Sequence, residues 1–144
     1  MTASAIYASP VPSARHAARP APDPDAVLAH VREACLALPE ATERLSHGAP
    51  SFFVRGRKTF VMFHDDHHGD GRLAIWCAAP TGVQDQVVRE EPTRFFVPAY
   101  VGYRGWIGLR LDVDVDWGEV EGVVRDAYCM VAPKTVVAAL RGSR

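Results

Sequence analysis

The first regular pattern of hydrophobic positions follows residue 23. Its apolar residues recur at the spacing of one helix face: Val27, Leu28, Val31, Ala34, Cys35 and Leu38. Asp23 suits the N-cap because its carboxylate can accept from free backbone N–H groups, and Pro24 suits the first helical turn. The segment therefore predicts an amphipathic helix that begins after Asp23 and ends before Pro39.

Short segments with the two-residue period of strands come next: ERLSH, SFFVR, KTFVMFH and RLAIWC. The Gly56–Arg57 pair predicts a two-residue type II′ turn between the second and third of these segments. In TFVMF both alternating sets are apolar, which indicates a strand that is central in its sheet or covered on both faces. The four segments predict strands joined by hairpin turns.

The second half of the chain alternates helical and strand patterns. PTGVQDQVVREEP predicts a short helix capped by Thr81. The next strand places three alternating residues inward: Ile107, Leu109 and Leu111. Asp116 and Glu119 have the spacing of a capping box at the start of a long helix, and PKTVVAAL predicts a last helix after it. Hairpin-linked strands with helices before, between and after them predict an α+β fold.

Length and composition indicate one folded domain. The 144 residues suffice for a single domain at 23–144, and the Ala- and Pro-rich residues 1–22 predict a disordered N-terminal tail. The net charge of −1 excludes a strongly basic nucleic-acid binder at the level of the whole chain. No apolar run approaches the ~20 residues needed to span a bilayer, so we expect no membrane partner and a cytoplasmic protein. The three scattered cysteines predict buried free thiols.

The segment FHDDHHGDG, residues 63–71, holds three of the six histidines of the chain. One interpretation is a metal or acid–base site, and the other is the solvated turn of a hairpin. The glycines of the segment and its apolar, strand-like flanks favour the turn. A metal-dependent hydrolase built on His64, His67 and His68 is the lesser alternative. We expect neither a metal nor a cofactor.

Basic residues concentrate at two places. Three cations occur together at one predicted hairpin tip: Arg55, Arg57 and Lys58. Arg94 and Arg104 belong to a second segment, 92–111, which contains no acidic residue and several aromatic ones. Cations mixed with aromatic rings can contact phosphates and stack on bases, so the five basic residues predict a nucleic-acid-binding patch. The same segment also offers an alternative, a groove for a small ligand or a peptide lined by three rings: Tyr100, Tyr103 and Trp106.

Four blocks of the sequence stand out together: LPEATERLSHGAPSFFVRGRKTFVMF, GRLAIWCAAP, RFFVPAYVGYRGWIGLRLD and DWGEVEGVVRDAYCMVAPKTVV. The first of their two most specific motifs is P-x-Y-x-G-x-x-G-W: Pro98, Tyr100, Gly102, Gly105 and Trp106. The second is Y-x-x-V-A-P-K: Tyr128, Val131, Ala132, Pro133 and Lys134. In this order the blocks resemble the MmcQ/YjbR family over about residues 25–140.

The resemblance implies a single compact domain with helices packed on one face of an antiparallel sheet of about five strands. This fold has been compared with double-wing DNA-binding and secretion-chaperone-like arrangements. The family consists of small bacterial proteins often labelled DNA-binding, and it implies no catalytic residues. We therefore expect a non-enzymatic protein that binds DNA weakly through its basic hairpin tip. The alternative is a non-catalytic module that binds a protein or a small ligand in the aromatic groove.

Overall fold

The computed structural model describes residues 22–142. In this range the helices are α1 (Pro24–Leu36), α2 (Val83–Glu90), α3 (Trp117–Val131) and α4 (Lys134–Gly142). The strands are β1 (Ala41–Ser46), β2 (Ala49–Val54), β3 (Lys58–Asp65), β4 (Leu73–Cys77), β5 (Phe95–Phe96) and β6 (Ile107–Arg110). The expected α+β class is confirmed. Residues 1–21 of the expected tail lie outside the described residues.

The six strands form one antiparallel sheet in the order β1-β2-β3-β4-β6-β5. Strand β3 lies in the middle, and its Phe60, Val61 and Phe63 are buried. The prediction of a central strand from TFVMF is therefore confirmed. The short edge strand β5 was not expected from the sequence. It lies close to β6 because Phe96 packs over Gly108, where any Cβ would collide with the ring.

Helices α1 and α3 pack against the central strand β3, whereas α2 contacts the edge strand β5. The buried Tyr128 on α3 connects these parts. Its hydroxyl donates to the carbonyl of Pro39 at 2.7 Å, and its ring meets Phe60 edge-on, with 5.5 Å between centroids. One side chain thus holds α3 against both the sheet and the segment between α1 and β1.

The helix starts test the predicted caps. The Asp23 carboxylate accepts from the backbone N–H two residues on, at 3.1 Å, as expected. Asp116 likewise caps α3, but the Glu119 side chain does not complete the capping box, because it pairs with Arg94 instead. The prediction that Thr81 caps α2 is wrong. The N-cap is Gly82, whose φ of 88° favours glycine over residues with a side chain.

Two findings bear on the expected class of protein. No helix within residues 22–142 has the length and apolarity needed to cross a membrane. All three cysteines are free, and Cys35 and Cys77 are buried. Burial raises the pKa of both buried thiols, which disfavours the thiolate form at neutral pH.

Candidate functional site

A groove of about 610 Å³ lies between the β2–β3 turn and the junction of α3 with α4. Four cations line it: Arg55, Arg57, Lys58 and Lys134. Five apolar residues form the rest of its wall: Val54, Met130, Val131, Ala132 and Pro133. Among residues 22–142 no acidic side chain lines the groove, so its local charge differs strongly from the net charge of −1 of the whole chain.

The β2–β3 turn places its cations through an unusual backbone. Arg55 and Gly56 both have left-handed φ values, 55° and 66°, and the Arg57 N–H donates to the Val54 carbonyl at 3.0 Å. The predicted type II′ turn at Gly56–Arg57 is therefore wrong. Two successive left-handed residues shift the turn one position earlier, so that Arg57 and Lys58 follow it and are exposed at the groove.

Arg55 is held by an acidic neighbour at the edge of the groove. Its Nε donates to Oε1 of Glu40 at 2.7 Å, and its backbone N–H donates to the Glu40 carbonyl at 2.9 Å. Glu40 is itself in the left-handed region, with φ of 59°. The hydrogen bond from Arg55 lowers the pKa of the Glu40 carboxyl, which therefore stays ionised and neutralises much of the Arg55 charge.

The other three groove cations differ from Arg55. Arg57, Lys58 and Lys134 are exposed and make no ion pair with any residue of 22–142. Lys134 also opens α4, so the positive end of that helix dipole lies at the groove. Three cations without an ion pair in the described part of the chain thus surround one concavity, an arrangement that attracts negative charge.

The structure does not bring all the predicted basic residues together. Arg94 is buried and pairs with Glu119 and Glu91, so its place in an exposed patch is wrong. Its guanidinium lies inside the protein between two carboxylates: Nη2 donates to Glu119, and Nη1 lies 3.8 Å from Oε1 of Glu91. Arg104 is exposed, but it stacks over the ring of Trp106 at 5.1 Å and does not line the groove.

The three rings of the alternative aromatic groove differ in their exposure. Tyr100 and Tyr103 are 72% and 88% exposed, whereas Trp106 is only 3% exposed and belongs to the hydrophobic core. Gln84 donates to the Trp106 carbonyl at 2.7 Å and holds that segment against α2. Trp106 therefore offers a ligand little surface, whereas the two tyrosines are accessible.

The FHDDHHGDG segment comprises the last three residues of β3 and the turn that leads to β4, as its flanks indicate. The Asp66 carboxylate accepts from the Gly71 N–H at 2.7 Å, and the Asp70 carboxylate accepts from the Arg72 N–H at 2.9 Å. Both carboxylates thus stabilise the turn itself. Within residues 22–142 no three His, Cys, Asp or Glu side chains are arranged to hold a metal ion.

His64, near the end of β3, points inward and packs on Trp76, with 3.8 Å between ring centroids. Its Nε2 is buried without a hydrogen-bond partner. Burial, with a further effect from the neighbouring His67, lowers the pKa of His64 to about 4. His64 is therefore a neutral packing residue at neutral pH.

Of the nine residues that line the groove, the sequence identified three as site residues: Arg55, Arg57 and Lys58. Among the six others, Lys134 was recognised only as part of a motif and Met130 only as part of a helical segment. Both are far along the chain from the hairpin tip, so no local spacing relates them to Arg57. The local signal for Lys134 was that this cation directly follows Pro133, which breaks the helix.

Comparison with known proteins relates this chain to a solved structure and to a protein family. No curated protein matches the chain. The crystal structure of a Deinococcus radiodurans protein with the family domain DUF419 is similar, with a TM-score of 0.61 and 16% sequence identity. The match covers 75% of this chain and 80% of that one, and at this identity it concerns the fold alone. The model of the YjbR family matches residues 36–130, well over half of the chain. The resemblance found in the sequence blocks is thereby confirmed, and the chain belongs to the YjbR family.

Proposed function

We propose that this protein binds nucleic acid through the groove, as a non-enzymatic protein of the cytoplasm. The observation that carries the proposal is the convergence of Arg57, Lys58 and Lys134 on one concavity without an acidic residue in its lining. Lysine and arginine side chains and helix N-termini are the groups that contact phosphates in protein–nucleic acid complexes. In this proposal the β2–β3 hairpin acts as the wing of a DNA-binding fold.

The weakness expected from the sequence follows from the charge distribution. The groove offers three cations without an ion pair among residues 22–142, and the whole chain carries a net charge of −1, so few phosphates can be neutralised at once. Each phosphate contact contributes about 0.7–0.9 to the slope of log affinity against log salt. We therefore expect binding at low salt that falls with a small, measurable slope.

The test is a double charge reversal, Arg57→Glu with Lys134→Glu. Both side chains are exposed, so folding is expected to persist, and a circular dichroism melt verifies it. We expect affinity for DNA at low salt to fall at least about tenfold and the salt slope to fall by about 2, because two contacts are lost. Fluorescence anisotropy across a salt series measures both quantities.

The matched control is Arg125→Glu with Arg141→Glu, which changes the net charge by the same amount at exposed positions outside the groove lining. This variant is expected to keep most of the affinity. Equal losses in the two variants would show that only the total charge matters, and no binding of the unchanged protein to DNA or RNA at low salt would refute the proposal.

A further inference from the structure

We infer that the groove accommodates one unpaired nucleotide, with its phosphate at the cations and its base on the apolar wall. The protein then prefers single-stranded nucleic acid to duplex. This inference rests on the proposed function and names the form of nucleic acid that the groove takes.

The first reason is the composition of the groove lining. Beside the cations it carries an apolar wall, in which Met130 is 48% exposed and Pro133 is exposed as well. A site that reads only phosphates has no use for such a wall, because phosphates interact with charges and N–H groups. A nucleobase has an apolar face that this wall can cover, and the polarisable thioether of Met130 suits contact with a flat ring.

The second reason is shape. The groove is concave and its volume of about 610 Å³ lies within the range of small-ligand sites. A duplex is convex at every phosphate and keeps its bases stacked inside, so it can offer the groove only backbone. An unpaired nucleotide can turn its base out of the strand, which is how single strands are generally recognised by proteins.

The third reason is the placement of the cations relative to the wall. Arg57 and Lys58 lie on the β2–β3 side, whereas Met130 and Pro133 lie on the α3–α4 side with Lys134 next to them. A ligand that bridges the groove therefore meets two cations on the hairpin side and, on the α3–α4 side, an apolar surface with one cation beside it. A nucleotide combines a charged phosphate and a base with an apolar face in a single unit.

The experiment compares three probes at one low salt concentration by fluorescence anisotropy. They are a short single strand, the same strand with abasic sites, which keeps every phosphate, and a duplex of the same sequence. We expect the intact strand to bind about tenfold more tightly than the other two, the size of effect that one base contact produces. Met130→Ala is expected to abolish this preference, and Met130→Leu, which rebuilds an apolar wall, is expected to retain it.

Leu45→Ala is the control, since Leu45 is a 70% exposed apolar residue on β1 outside the groove lining. The Leu45→Ala variant is expected to keep the preference for the intact strand unchanged. Equal affinity for all three probes, with a salt slope that the Arg57/Lys134 reversal reduces, would overturn the inference and leave the proposed function standing. A preference that survives Met130→Ala would also overturn it. Failure to bind any probe would overturn both.

Discussion

At the scale of single residues, Arg94 and Arg57 have the same side chain and opposite surroundings. Arg94 is buried against Glu119, while Arg57 is exposed beside the groove. Burial also raises the pKa of Glu119, so this carboxylate depends on the guanidinium to remain charged. Burial and pairing therefore decide that Arg94 stabilises the fold and that Arg57 is available to a ligand.

Replacing Arg94 with Met tests the structural role. The Glu119 carboxylate then stays buried without its cation, and we expect a loss of about 3–5 kcal/mol in unfolding free energy at neutral pH. The loss is expected to shrink as the pH falls, because a protonated Glu119 no longer needs a cation. Urea unfolding measures it. Arg89→Met, which breaks the exposed pair with Asp85, is the control and is expected to cost less than about 1 kcal/mol.

Glu40 is the residue that limits the charge of the groove. It binds Arg55 through both side chain and backbone, so Arg55 contributes little free charge. Glu40→Gln is expected to release the guanidinium for one more phosphate contact. Affinity for DNA should rise several-fold and the salt slope by about 1.

Glu43→Gln provides the comparison for that change. It adds the same charge and releases Arg32 from a similar ion pair, with 2.6 Å between Nε and Oε1, outside the groove lining. This variant is expected to leave DNA binding nearly unchanged. A gain of equal size in both variants would mean that Arg55 has no special place in the site.

At the scale of elements, the turns show most clearly what neighbours decide. The β3–β4 turn contains the histidines and aspartates that suggested chemistry, yet its carboxylates bind its own backbone N–H groups. His64 belongs to the end of β3, and its side chain lies on the same face of the sheet as that of Trp76 on β4. It therefore packs inward on that ring. The side chains of the histidine-rich turn thus stabilise the turn itself, whereas the β2–β3 turn carries cations that line the groove.

The inward packing of His64 makes stability depend on pH. Its pKa is about 4 in the folded protein against an ordinary value of 6.5, so the unfolded chain binds more protons between these values. The contribution of His64 to the free energy of unfolding is therefore complete above about pH 6.5 and is lost as the pH falls toward 4. Unfolding in this window is expected to take up as much as about one proton at this site.

His64→Phe removes that proton uptake and keeps the packing on Trp76. Urea unfolding at several pH values between 4 and 6.5 is expected to show a flatter pH dependence in this variant. His47→Asn, at an exposed position of the β1–β2 turn, serves as the control and should keep the slope of the unchanged protein. An unchanged slope in His64→Phe would contradict the burial of a neutral imidazole.

At the scale of the whole molecule, the cations of the groove come from two distant parts of the chain. The β2–β3 hairpin supplies Arg57 and Lys58, and the α3–α4 junction supplies Lys134. They meet because α3 packs on the central strand β3, which brings its C-terminal end beside the hairpin tip. A chain with a net charge of −1 thereby presents one locally basic concavity.

The sequence by itself determined the helices, the hairpin-linked strands, the α+β class and membership of the YjbR family. Periodicity suffices for the elements and the fold class because burying one face of a helix or strand leaves a regular trace in neighbouring residues. The family follows instead from motifs that are contiguous in the sequence. Only the tertiary structure decided that Arg94 is buried, that Trp106 lies in the core and that Lys134 joins the hairpin cations. Burial, pairing and convergence are relations between residues distant in the chain, and no local pattern encodes which of several similar side chains will meet.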